Sequence, residues 1–144
     1  MIPAVAKERS FASFVEGETA HLSFVVTPDD MTSFAAISGD YNPLHCDESD
    51  AISRGFKGRV VYGALLVAKV SQVIGMQLPG RNAIWTGLDI QFAAPLFIGQ
   101  VAEIEATITH ISAATRSIEL SLRIRSEGKV VARGKASVAV HRDE

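Results

Sequence analysis

Asp40 and His45 stand five residues apart in the run Ser38-Gly39-Asp40-Tyr41-Asn42-Pro43-Leu44-His45, a dense polar cluster at a structural break. A carboxylate and an imidazole at that spacing, with Pro43 fixing the backbone between them, can converge on one point and activate a water molecule. The same letters have a plainer reading. Gly, Asp, Asn and Pro are the common turn formers, and they could make a simple turn with His45 on the surface. The residues alone leave both readings open.

A second candidate is Tyr62-Gly63, at the mouth of an apolar run. Free amides at a helix N-terminus can bind an oxygen that gains negative charge, such as that of a thioester carbonyl, and glycine permits close approach. Gly63 could equally serve tight helix packing alone. The other polar residues offer less. His21, His110 and His141 lie far apart in strand-like segments and read as surface or satisfied histidines, so no metal site is expected. Cys46 adjoins His45, but neighbours in an extended chain point to opposite sides, and a packed thiol is the expectation. Arg54, Lys57 and Arg59 read as a solvated basic loop, with a contact to the phosphates of a nucleotide tail as the sharper alternative. Asp89 and Glu103 are read as surface charges.

These residues need elements to place them. Thr27-Pro28-Asp29-Asp30 carries three agreeing signals for a helix start: a threonine cap, proline at the first helical position, and acids in the first turn. Met31, Phe34, Ala35 and Ser38 recur at helical spacing, and Gly39 supplies a stop, so a short helix delivers the chain to Asp40. Cys46 to Arg59 reads as a loop. Ala64 to Met76 is apolar almost all round, which predicts a buried helix.

The remainder changes period. Ile84, Thr86, Leu88, Ile90 and Phe92 alternate with Trp85, Gly87, Asp89 and Gln91. Ala102 to Ile108 and Ile118 to Ile124 alternate in the same way, predicting strands with one wet face. Ser126-Glu127-Gly128-Lys129 reads as a hairpin turn into a last strand through Ala132, Gly134, Ala136 and Val138. One buried helix and an antiparallel sheet with one apolar face make an α+β domain. Residues 1–17 are read as a loosely held leader and 18–144 as the domain proper. The exposed edges of such a sheet suggest pairing of two copies, so a homodimer is expected.

Composition excludes other classes. A formal net charge of −2, with Lys and Arg scattered singly, offers no basic stripe for nucleic acid. The longest apolar stretch, Gly63 to Ile74, is broken by Lys69 and is too short to span a bilayer, so no membrane partner is expected. The single cysteine forms no internal disulfide, and the apolar N-terminal run is too short for a signal peptide; a cytoplasmic location is expected.

The run from Phe34 to His45 closely resembles the hydratase motif of the MaoC-like dehydratases and (R)-specific enoyl-CoA hydratases, with Asp, Asn, Pro and His in the same order and spacing. Val60-Val61-Tyr62-Gly63-Ala64-Leu65-Leu66, Gln77-Leu78-Pro79-Gly80 and Gln91-Phe92-Ala93-Ala94-Pro95-Leu96 resemble further segments of that family, in the right order. The resemblance implies a hot-dog fold, an antiparallel sheet wrapped around the long helix, and a dimer formed through the sheet. It implies reversible syn hydration of a trans-2-enoyl-CoA to the (R)-3-hydroxyacyl-CoA, with coenzyme A as part of the substrate and no separate cofactor. It assigns Asp40 and His45 to catalysis, the Gly63 amide to the thioester oxygen, and Asn42, Tyr62 and Ala64 to the substrate-contacting set. Ser71 and Ile74 would form the wall of the acyl pocket. An acyl-CoA thioesterase and a non-catalytic acyl-thioester binding subunit are the alternatives on the same fold.

Overall fold

The computed structural model describes Ala4 to Arg142. Strand β1 (Thr19–Val25) is followed by helices α1 (Pro28–Ser38), α2 (Pro43–Cys46), α3 (Glu48–Ser53) and α4 (Gly63–Met76). Strands β2 (Ala83–Phe92), β3 (Val101–Ser112), β4 (Ser117–Ser126) and β5 (Lys129–Val140) complete the chain. All pairings are antiparallel, in the order β1-β3-β4-β5-β2. The sheet curls its apolar face around α4 in the hot-dog arrangement.

The alternation in β3, β4 and β5 does what its period dictates. Ala102, Ile104, Ala106 and Ile108 pack with Ile118, Leu120, Leu122, Ile124, Ala136 and Val138 in the core, each at most 2% exposed. On the wet face, Glu103 stands opposite Arg125 and Glu105 opposite Arg123, cross-strand pairs of opposite charge. The β4–β5 hairpin closes through Glu127 and Gly128, both at positive φ, the geometry of the turn whose twist matches its strands. At Gly134 a Cβ would lie 2.0 Å from the Asp89 carbonyl oxygen, so glycine lets β2 approach β5.

β2 differs from its expected phase. A bulge between Trp85 and Gly87 shifts the register, so Trp85, opposite Val138, shares the inner face with Leu88, Ile90 and Phe92, while Ile84 turns outward. Because β2 is an edge strand, Ile84, Leu88 and Phe92 stay exposed despite their apolar character.

Helix α1 starts and stops as its residues dictate. Thr27 and Asp30 form a reciprocal capping box, and Gly39 ends the helix at φ 73°. Helix α4 is less enclosed than its composition predicts. Leu65, Leu66, Val70, Val73 and Ile74 are buried, but Ala64, Ala68, Ser71 and Gln72 are exposed, because one sheet covers one side of the helix. The Cys46 to Arg59 segment is also more ordered than a loop: Asn42 caps α2 and Asp47 caps α3, each through its side-chain oxygen.

The segment ahead of β1, expected to be loosely held, is tied down from Lys7 onward. The Lys7 amide donates to the Met76 carbonyl, the Arg81 amide donates to that of Lys7, Arg9 pairs with Glu18, and Phe14 joins the core. No helix among the described residues is long and apolar enough to cross a membrane.

Candidate active site

The turn between α1 and α2 is built by side chains that replace backbone partners. The Asp40 carboxylate accepts the Asn42 amide at 3.0 Å through Oδ1, and the Asn42 side chain accepts the Leu44 amide at 3.0 Å. Two successive turns of this kind fix the path from Asp40 to His45 without a regular element. The same carboxylate that shapes the loop through Oδ1 belongs to a residue exposed to solvent.

His45 is oriented by the chain that leads into α4. Its Nδ1 lies 2.6 Å from the Val60 carbonyl oxygen. A carbonyl only accepts, so Nδ1 carries the hydrogen and the lone pair of the neutral ring resides on Nε2. Arg59 fastens the backbone of the same residue, donating from Nε to the His45 carbonyl at 2.9 Å. The ring stacks on Tyr62, with centroids 4.1 Å apart and planes 26° apart.

Tyr62 is 2% exposed. Its hydroxyl donates to the Asp40 carbonyl at 2.6 Å, and its ring also meets Phe34 at 4.8 Å. The Cys46 sulfur lies 3.5 Å from the same hydroxyl oxygen. The phenol hydrogen is engaged with Asp40, so the thiol is the donor in that contact. Burial is the main cause that pushes the phenol well above its ordinary pKa, and it keeps its proton as a donor.

Gly63 follows at the first position of α4. Tyr62 is the N-cap residue but gives no side-chain cap; the Leu65 amide turns back to the Tyr62 carbonyl at 3.1 Å, and the amides of Gly63 and Ala64 are left for another acceptor. A Cβ at Gly63 would lie 2.9 Å from the Phe92 Cζ, so the close approach of that ring requires glycine here. His45 and Gly63 line one cavity of about 360 Å³, walled by apolar side chains that include Phe56, Leu66, Phe92 and Pro95. A larger cavity, about 650 Å³, lies at the other end of β2 among Arg9, Arg116 and His141 and contains none of the motif residues.

The structure thus gathers Asp40, Asn42, His45, Tyr62 and Gly63 around the start of α4. Of these five, His45 and Gly63 line the cavity, while Asp40, Asn42 and Tyr62 are not among its lining residues; the remaining assigned positions also lie apart from it. Ala64 and Ser71 are exposed on the open side of α4, and Ile74 is buried in the core. Cys46 is exposed, and His21 and His110 sit beside Glu103 and Glu16 on the surface. Among the described residues no group of three or more His, Cys, Asp or Glu is placed to hold a metal ion. The Val60 carbonyl has no mark in the sequence, since a backbone acceptor carries no residue signature. Arg59, read as part of a basic loop, and Phe92, read as a strand residue within a family-like segment, are placed at the site by geometry.

Comparison with known proteins adds to this geometry. The model of the MaoC like domain matches residues 11–130. The chain is 33% identical to the (R)-specific enoyl-CoA hydratase of Rhodospirillum rubrum, covering 90% of each chain. It is 30% identical to the 3-hydroxybutyryl-CoA dehydratase of Methylorubrum extorquens, over 93% of this chain and 85% of that one. Among solved structures, the (R)-hydratase of Aeromonas caviae involved in PHA biosynthesis matches with a TM-score of 0.86 and 32% identity, covering 90% of this chain and 98% of that chain.

Proposed function

Since the chain belongs to the MaoC-like domain family, we propose that the site around Tyr62 and Gly63 works as that of an (R)-specific enoyl-CoA hydratase. The enzyme adds water reversibly across the double bond of a trans-2-enoyl-CoA and forms the (R)-3-hydroxyacyl-CoA. The observation that carries this reading is the placement of the motif imidazole and the uncapped start of α4 on one apolar cavity.

In the forward direction a water sits between Asp40 and His45. Asp40 is the base, and His45, with hydrogen on Nδ1, presents Nε2 to orient the water and share its proton. The water oxygen bonds to C3, and the proton passes to C2 on the same face. As C3 is attacked, electron density moves into the thioester carbonyl, whose oxygen takes a hydrogen bond from the Gly63 amide. A donor of this type contributes about 3 kcal/mol at the transition state. The thioester is the electron sink and the dyad carries the proton, so this chemistry calls for no further cofactor. Asn42, whose oxygen is used to cap α2, contributes by holding the loop that carries both groups.

The test is purified protein with crotonyl-CoA, followed by the loss of the conjugated enoyl thioester, by chiral analysis of the product, and by assay of free thiol. Formation of (R)-3-hydroxybutyryl-CoA without thiol release is expected. Free coenzyme A as the main product would replace this reading with a thioesterase.

Two copies would cover surface that one leaves open. The outer edge of β2 carries Ile84 at 50% and Phe92 at 52% exposure, and one side of α4 is uncovered. A homodimer follows as part of this proposal. Light scattering at micromolar concentration should give about twice the 15.4 kDa chain mass; the mass of one chain would contradict it.

A further inference from the structure

We infer that Tyr62 is a positioning residue that locks the base, the imidazole and the oxyanion amide into one unit; the inference rests on the hydratase reading above. The three groups come from three places in the chain. Asp40 lies in the turn after α1, His45 lies in α2, and Gly63 opens α4. A single backbone bond, from the Val60 amide to the Leu44 carbonyl at 3.2 Å, joins α2 to the approach of α4, in place of the ladders that join the strands of the sheet. Tyr62 meets all three. Its hydroxyl holds the Asp40 carbonyl at 2.6 Å, its ring face lies 4.1 Å from that of His45, and its own peptide group leads into Gly63.

The side chain is suited to this role and unsuited to binding substrate. It is 2% exposed, and its hydroxyl has two engaged neighbours, the Asp40 carbonyl and the Cys46 thiol. Tyr62 therefore acts through the residues it holds rather than by touching the thioester. Its mounting is stiff, because it is the N-cap residue of a fourteen-residue helix and its ring is backed by Phe34. The loop it holds needs such a mounting. Asp40 is exposed, its turn bonds to Ser38 and Asn42 are local, and the Tyr62 hydroxyl is the bond that ties it to the start of α4. Small errors in the placement of a reacting group are expensive, and a displacement of about 1 Å can slow a reaction by about 10²-fold.

The experiment compares Tyr62→Phe, which keeps the stacked ring and loses the hydroxyl, with the wild type, alone and in an Asp40→Asn background. Hydration of crotonyl-CoA by Tyr62→Phe should show kcat lowered about tenfold, with KM within about twofold. In the Asp40→Asn background the same change should lower kcat by less than about twofold, because the group it positions has already lost its function. A general loosening of the fold would act equally in both backgrounds. Wild-type kcat in Tyr62→Phe would overturn the proposal, as would a rise in KM alone or a full tenfold loss in both backgrounds. Should Tyr62→Phe fail to fold, Phe34→Leu carries the test. It loosens the ring's backing without touching the dyad, and its kcat should fall by a factor of about two to five at unchanged KM; an unaltered kcat would overturn the proposal. If Asp40→Asn by itself hydrates as fast as the wild type, the hydratase reading fails, and that result is distinct from every outcome above.

Discussion

The β3–β4–β5 sheet and the segment from Ser38 to Gly63 are held by different kinds of bond. In the sheet, backbone groups pair with backbone groups along registers of ten or so residues, and alternate side chains fill a continuous core. Any one side chain contributes volume, and its hydrogen-bonding identity matters little. In the 38–63 segment, backbone bonds are local to short helical turns or single, as from Val60 to Leu44 and Val61 to Leu96. Side chains add bonds to backbone that join its parts: Asp40 and Asn42 to amides within the loop, His45 to the Val60 carbonyl, Arg59 to the His45 carbonyl and Tyr62 to the Asp40 carbonyl. There, identity matters atom by atom. The sheet therefore carries the stability of the domain and the segment carries its chemistry, and substitutions should divide along that line.

The largest effect is expected at the dyad. Asp40→Asn and His45→Ala should each lower hydration by about 10²-fold or more, in the range for a positioned acid or base. Their melting temperatures should stay near that of the wild type, since both residues lie outside the buried core cluster. Hydration of crotonyl-CoA and a thermal melt, measured on the same samples, decide it. A large drop in melting temperature would place these residues with the sheet and break the division.

The mirror experiment is Leu120→Ala in the middle of β4. Leu120 is 0% exposed, and truncation removes buried volume in a site that cannot collapse fully, at a cost of about 2–5 kcal/mol. Denaturant unfolding should show that loss, while kcat at moderate temperature stays within about twofold for the folded fraction. A selective fall in kcat without loss of stability would mean that the sheet tunes the site directly.

The same division explains what could be read from the sequence. The strands were legible because a period of two survives any detail of side-chain bonding, and α1 was legible because Thr27, Pro28 and Gly39 are local signals that act locally. The motif Asp40-Tyr41-Asn42-Pro43-Leu44-His45 was legible through its resemblance to a family motif, because its residues alone left a plain turn and a catalytic pair both open. The phase of β2 was not, because the bulge after Trp85 is set by pairing with β5, far along the chain. Short helices α2 and α3 were hidden because their caps, Asn42 and Asp47, are also turn formers. The open side of α4 was hidden for a different reason: hydropathy marks a helix as apolar but does not say how many layers cover it. That uncertainty passes to Ser71 and Ile74, which share a helix with Gly63 yet lie outside the cavity that Gly63 lines.

An intermediate effect is expected where the two regions meet. Gly63 belongs to the segment and Phe92 to the sheet, and a methyl group added at Gly63 would come within 2.9 Å of the ring. Alanine is a good helix former, so α4 itself should tolerate Gly63→Ala. The exposed ring must shift into the cavity mouth instead, and kcat/KM should fall about tenfold, equivalent to about 1.4 kcal/mol. Adding Phe92→Ala should restore part of the loss, because the clash is then gone. Equal losses with and without Phe92 would show that the backbone of α4, rather than the ring, is the cause.

The smallest effect concerns a bond of the segment's kind placed on the sheet's side of the molecule. Arg9 reaches from the leader to Glu18 just before β1, and it also donates to the Ser13 carbonyl at 2.8 Å. The Arg9 hydrogen bond is the main reason that the Glu18 carboxyl is held below its ordinary value; partial burial opposes the shift without cancelling it. A carboxylate whose folded pKa is depressed stabilises the fold above its unfolded pKa, and the contribution is lost as pH falls through the lower, folded value. The pair is partly solvated, so its worth is at most about 1 kcal/mol after screening. Glu18→Gln should therefore melt slightly below the wild type near pH 7, and the gap should close as the pH is lowered through the carboxylate range, below about 4. Hydration at neutral pH should be unchanged, since the pair lies outside the cavity lined by His45 and Gly63. A gap that persists at low pH would mean that Glu18 acts through packing or neutral hydrogen bonds, and the leader would then be held in the manner of the sheet.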